Sequence, residues 1–105
     1  MTIYYFAIAS QDFLLHEEPL EEVLRERTNH YNSIQKVIDF WIVTDPTFIN
    51  APEMEHIKQQ LPKPSVAILS LNQKFIEWVK LRFGFVLTGN FESPSENIEN
   101  ALQSD

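Results

Sequence analysis

Four short runs rich in β-branched and aromatic residues, at positions 2–10, 37–44, 65–71 and 85–91, alternate with three segments whose apolar residues recur at helical spacing. Runs of that length and composition read as strands. The order β-α-β-α-β-α-β within 105 residues leaves room for one core: a small four-stranded sheet flanked by about three helices. The first run is apolar on both faces, with Tyr4, Phe6 and Ile8 alternating with Ile3, Tyr5 and Ala7, so it is expected in the sheet interior. Asp39, Thr44, Ser70, Thr88 and Asn90 put polar groups on strand faces, whereas a parallel sheet covered twice is apolar throughout. The expected fold is therefore a compact α+β domain over residues 1–91 with a mixed or largely antiparallel sheet. Residues 92–105 are polar and acidic and are expected to form a flexible tail.

The helical segments carry their own boundary signals. Pro19 suits a first helical turn, and Glu17, Glu18, Glu21 and Glu22 complement its positive end. Leu20, Val23, Leu24, Arg27 and Tyr31 then share one stripe, predicting an amphipathic helix to about Tyr31. A shorter helix is expected to start at residues 50–53 and to stop before Pro62 and Pro64. The clearest helix runs over 73–83, with Asn72 as its N-cap and Gly84 just past its end.

Composition removes several classes of function. With Gly84 and Gly89 its only glycines, the chain lacks the glycine-rich turns of phosphate-binding loops and dinucleotide folds. No cysteine is present, which excludes thiolate metal sites, disulfides and cysteine nucleophiles. A net charge of −7 disfavours nucleic acid and anionic membrane surfaces as partners. No apolar run is long enough to cross a bilayer, and the first residues lack the basic start of a secretory signal. A soluble protein working in the compartment where it is made is expected. The charge is also uneven: residues 12–27 hold six acids against Arg25 and Arg27, residues 90–105 hold four acids and no base, and the stretch between is nearly neutral.

No catalytic constellation emerges. Glu53 and His56 form one Glu-x-x-His unit, half of a carboxylate-bridged di-iron site, but no second unit exists, so no metal or other cofactor is expected. The serines have no nucleophile elbow around them, and His30 and His56 read as surface imidazoles. More informative are charges set among aromatics. Arg82 projects into the Phe75, Trp78, Val79, Phe83 arc of its helix, and Arg27 into the stripe of the first helix. A cation there must reach the rim, pair with a carboxylate or meet a partner. In the strand at 37–44, Asp39 lies beside Phe40 and Trp41 in the near-neutral centre of the chain, a composition typical of interface hot spots. Asp39, Phe40, Trp41 and Arg82 are the candidate partner-binding residues, and Arg27 and Trp78 are candidates for a structural or interface role. The competing reading is an internal pair between Asp39 and Arg82 or Arg27.

Several segments together resemble one family: Phe13-Leu14-Leu15, Glu17-Glu18-Pro19, Glu21-Glu22-Val23-Leu24, Ile38-Asp39-Phe40-Trp41, Ala51-Pro52-Glu53, Lys80-Leu81-Arg82, Phe85-Val86-Leu87-Thr88-Gly89 and Pro94-Ser95-Glu96. These are similar to the hypothetical chloroplast open reading frame 54 family, called low chlorophyll accumulation A in plants. That family supplies the small soluble subunit of the aerobic magnesium-protoporphyrin IX monomethyl ester oxidative cyclase. The resemblance implies a non-catalytic accessory subunit in chlorophyll biosynthesis. Its partner would be the membrane-associated di-iron oxygenase that closes the isocyclic ring. It also implies a place in the cyanobacterial cytoplasm or plastid stroma, peripheral to the thylakoid membrane through that partner. The alternative is a small α+β tetrapyrrole-binding protein or cofactor-free monooxygenase, in which Tyr4, Trp41, Trp78 and His30 would line a pocket.

Overall fold

The computed structural model of the protein describes residues 2–17 and 20–104. Its sheet has four strands, β1 (Thr2–Ser10), β2 (Phe40–Thr44), β3 (Ser65–Ser70) and β4 (Leu87–Ser93), in the order β2-β3-β1-β4. Every neighbouring pair is antiparallel. Two split β-α-β units interleave: helix α1 (Leu20–Ser33) carries the chain from β1 past β3 to β2, and helix α3 (Gln73–Phe83) from β3 past β1 to β4. The third helix, α2 (Glu55–Lys58), is a single turn preceded by 3-10 turns at Thr47–Asn50 and Pro52–Met54. A π-helical turn at Asp12–Glu17 follows β1. Pro19 and Glu18, expected in the first turn of the first helix, lie outside the described residues.

Strand alternation builds two cores, one on each side of the sheet. Ala7, Ala9, Val66, Ile68 and Phe40 face α1 and α3, meeting Leu20, Leu24, Tyr31, Phe75, Ile76, Val79 and Phe83. Phe6, Ile8, Ala67, Leu69 and Val43 face the opposite way, toward Phe48, Met54, Ile57 and Phe91. The sheet is antiparallel yet covered on both faces, so all six residues of β3 are buried. The polar residues taken as marks of an open face lie elsewhere. Asp39 precedes β2, Thr88 and Asn90 stand on the edge strand β4, and Ser70 is buried where its hydroxyl accepts from the Asn72 N–H at 2.9 Å.

Three strands differ from their expected limits: β3 ends one residue early, at Ser70, β2 starts late because pairing needs a partner at the same level, and β4 is shifted along the chain. Phe40 is opposite Ser70, the last residue of β3, so 37–39 have no strand to join. Asp39 makes one further backbone bond there, accepting from Leu71 at 3.1 Å, and Val37 is 85% exposed. β4 begins at Leu87 rather than Phe85, since the carbonyl of Val86 accepts from the Lys80 ammonium at 2.7 Å. It runs on to Ser93, because β1 supplies a partner as far as Thr2. α3 has its expected ends: the Asn72 side chain accepts from the Lys74 N–H at 3.0 Å, and Gly84 takes φ +80°.

The segment after β4 turns back on the second core. Ser93 Oγ donates to the Ile98 carbonyl at 3.0 Å, and Ile98 and Ala101 are buried against the sheet. Gly89 serves the same core differently. A Cβ at that position would lie 2.8 Å from the Phe6 ring, which is fully buried in this core. Gly89→Ala is expected to lower stability by about 1–3 kcal/mol, the usual cost of overpacking. Chemical denaturation checks this, with a midpoint shift at constant m-value as the expected result.

Candidate functional site

At the start of β2, where α1 and α3 converge, charged groups are interleaved with a chain of aromatic rings. Phe40 is the base of the chain. Its ring is buried, edge-on to Tyr31 at 5.5 Å and tilted against Phe75 at 5.1 Å. Phe75 in turn stacks on Trp78 at 5.9 Å, and Trp78 reaches the surface with 38% of its area exposed. Helical spacing explains the chain, since Phe75 and Trp78 are three residues apart on α3 and so lie on one face.

Arg27, four residues before Tyr31 on α1, lies over this aromatic chain. Its guanidinium carbon is 4.7 Å from the Phe75 centroid and 5.5 Å from those of Tyr31 and Trp78. Three electron-rich faces therefore hold one cation, each such contact being worth about 0.5–2 kcal/mol depending on desolvation. Arg27 Nε is buried without a hydrogen-bond partner among the described residues. Among the described residues, this half-buried arginine is held in place by rings, with no carboxylate paired to it.

Asp39 lies beside the same tyrosine. The Tyr31 hydroxyl donates to Asp39 Oδ1 at 3.0 Å, and Lys36 Nζ is 3.9 Å from Oδ2 and 4.6 Å from the Tyr31 ring centroid. In place of the arginine of the competing reading, Arg82 or Arg27, Tyr31 and Lys36 meet Asp39. The reason is positional, because Asp39 sits ahead of the paired strand, in the connection that leaves α1, and its side chain turns toward Tyr31 at the end of that helix.

The structure joins Asp39, Phe40, Arg27 and Trp78 through shared contacts. Arg82 is exposed on the last turn of α3, four residues after Trp78, with its guanidinium carbon 5.4 Å from the Phe83 ring centroid. Trp41 points through the sheet to the other core, where its ring meets Tyr4 at 6.2 Å. Phe40 is core rather than surface, so any docking role it has is as a support. Tyr31, Phe75 and Lys36 were not singled out from sequence as site residues. A signal was present for Tyr31 in its i, i+4 spacing from Arg27 on α1, whereas Lys36 lies outside any helix and its contact with Asp39 had none.

Exposed apolar residues border this region, with Leu71 just before the N-cap of α3 and Val37 ahead of Asp39. The pocket pictured for a tetrapyrrole does not assemble, because Tyr4 and Trp41 pack on one side of the sheet and Trp78 on the other, while His30 is exposed. Glu53 accepts from Asn97 at 3.3 Å, and no group of three metal-ligating side chains occurs among the described residues. No helix among them is long and apolar enough to cross a membrane.

Residues 2–93 match the family model described as Ycf54 protein. A Ycf54-like protein of Synechocystis is 55% identical over 104 residues, covering 99% of this chain and 78% of that protein. The chloroplastic protein YCF54 of Arabidopsis thaliana is 39% identical over 99% of this chain, which spans 48% of the plant protein. The solved structure of the Ycf54 protein from Synechocystis superposes with a TM-score of 0.95 at 54% identity, covering 99% of this chain and 97% of that one.

Proposed function

Because this chain belongs to the Ycf54 family, we propose that it is a non-catalytic accessory subunit of the aerobic magnesium-protoporphyrin IX monomethyl ester oxidative cyclase. In this reading it docks on the membrane-associated di-iron oxygenase subunit and supports its assembly, stability or activity during closure of the isocyclic ring of chlorophyll. It works in the cyanobacterial cytoplasm or plastid stroma and reaches the thylakoid through its partner. The occurrence of relatives in Synechocystis and in the chloroplast of a plant accords with that pathway.

The observation that carries the reading is the aromatic and cationic face at the start of β2. Its core is fixed by Phe40, Tyr31 and Phe75, and it presents Trp78, Asp39 and the guanidinium groups of Arg27 and Arg82. Tryptophan and arginine are the residue types that most often dominate interface energy, and here they stand on a rigid floor. A face already ordered before binding loses less entropy when a partner arrives.

Arg82 is exposed, so Arg82→Ala is expected to melt like the parent while capture of the oxygenase subunit weakens roughly thirtyfold, equivalent to about 2 kcal/mol. Asp39→Asn keeps an acceptor for the Tyr31 hydroxyl and removes the charge, and a similar loss is expected. Full capture by both variants would place the docking face elsewhere. Deleting the protein from a phototroph should make the monomethyl ester accumulate while the oxygenase subunit declines. Accumulation of an earlier intermediate with unchanged oxygenase would refute the cyclase role.

A further inference from the structure

The outer strands of the sheet are β2 and β4. Beside β2, the chain covers only the last residue of the strand and the turn after it: the Thr47 N–H donates to the Gln103 carbonyl at 3.0 Å, the Ser104 hydroxyl donates to the Thr44 carbonyl, and Pro46 bridges to Ser104. β4 pairs with β1 along its whole length and has no strand on its outer side among the described residues. An open edge offers backbone donors and acceptors to any further strand, and folds usually blunt such edges with proline, lysine or a bulge. Leu87–Ser93 contains neither proline nor lysine.

Grooves flank this edge on both faces of the sheet. One, of about 450 Å³, runs between α3 and the strand and is lined by Tyr5, Ile76 and Leu81. The other, of about 280 Å³, lies on the α2 side and is lined by Phe6, Met54 and Ile57. Both include Thr88, Gly89 and Asn90, so they meet at the same stretch of β4. Successive side chains of a strand point to opposite faces. A strand added outside β4 would therefore send alternate side chains toward each groove while its backbone continues the ladder.

Charge selects the occupant. Glu77 lines the first groove, Glu53 the second, and Glu92 is exposed on β4 itself. The lysine of the first groove, Lys80, already donates to the Val86 carbonyl. A second copy would bring the same acids and another net charge of −7 against this edge, and like charges across an interface are costly. We propose that the outer edge of β4 accepts, by strand addition, an extended segment of a partner protein in which lysine or arginine alternates with apolar residues. The proposal stands on the edge and its grooves, and does not depend on the cyclase reading.

The test titrates the full chain with a short capped peptide of alternating lysine and valine, following amide hydrogen exchange by NMR. A control peptide of equal charge is N-methylated at every second residue, which removes the ladder donors on one side. Saturable binding is expected, with added protection of amides within 87–93, and the N-methylated peptide should bind roughly tenfold more weakly. The double variant Glu77→Gln, Glu92→Gln should melt like the parent and bind the lysine peptide several-fold more weakly. Equal binding of both peptides, or no added protection in 87–93, would overturn strand addition. Unchanged affinity of the double variant would overturn the basic occupant. Protection of 87–93 that rises with protein concentration in the absence of peptide would assign the edge to a second copy and overturn the proposal.

Discussion

Phe40→Ala should lower the stability of the protein by about 3–5 kcal/mol, the range for losing a phenyl ring from a core. The ring is 6% exposed and touches both Tyr31 and Phe75, the two aromatics that hold Arg27. Its removal takes away transfer energy, opens a cavity between α1, α3 and the sheet, and loosens the floor under Trp78. Small domains are stable by only about 5–15 kcal/mol. A change of this size should therefore shift the melting midpoint by roughly 4–8 °C per kcal/mol at this chain length. Capture of the oxygenase subunit should fall in parallel with the folded fraction. Arg82→Ala is expected to behave differently, losing capture at parental stability. A Phe40→Ala protein that melts like the parent would show that α1 and α3 do not rest on this ring. Phe40→Leu, which refills much of the volume, should recover most of the stability.

Ile98→Ala should cost about 2–5 kcal/mol, the usual range for deleting a buried aliphatic side chain. Ile98 lies beyond the last strand in a polar segment, yet it is 3% exposed and packs in the core that holds Phe6, Phe48 and Phe91. Those three rings stack or tilt against one another at centroid distances of 4.6–6.0 Å. Ile98 contributes to the cover over them, and its backbone is held by Ser93 and Ser95. We propose that residues 95–104 behave as part of the folded domain. Urea denaturation and amide exchange check this: parental stability in Ile98→Ala, together with unprotected amides at 98–101, would restore a flexible tail.

Much of the fold was legible because its signals are local. Asn72 and Gly84 act on backbone groups within a few residues, so the ends of α3 follow from the sequence around them. The apolar alternation of 2–10 placed β1 in the interior for a similar reason: a strand with two apolar faces needs cover on both. The antiparallel sheet agrees with expectation, although the physical ground differs. The polar residues thought to mark a wet face are an edge, a residue ahead of a strand and a buried hydroxyl.

The site was legible in part. Arg27 and Arg82 stood out as cations on apolar stripes, and Asp39 as an acid among aromatics, because a charge in such surroundings requires a compensating contact. Which contact compensates it is not a property of the sequence neighbourhood. Tyr31 and Lys36 reach Asp39 only because β2 begins one residue later, and β2 begins there because β3, some thirty residues on, ends at Ser70. Trp41 faces away from Phe40 through the pleat of the same strand, which assigns neighbours in sequence to opposite cores.

By itself, then, the sequence determined the number and order of the elements, the capped helix α3, the central place of β1 and the family, since these rest on patterns carried within short segments or along the whole chain. Tertiary structure decided the ends of β2 and β4, the partners of Asp39, the burial of Ile98 and the grooves that flank the outer edge of β4. Each of these depends on which distant residue stands opposite. A strand can pair, and a side chain can be buried, only where another part of the chain arrives to meet it.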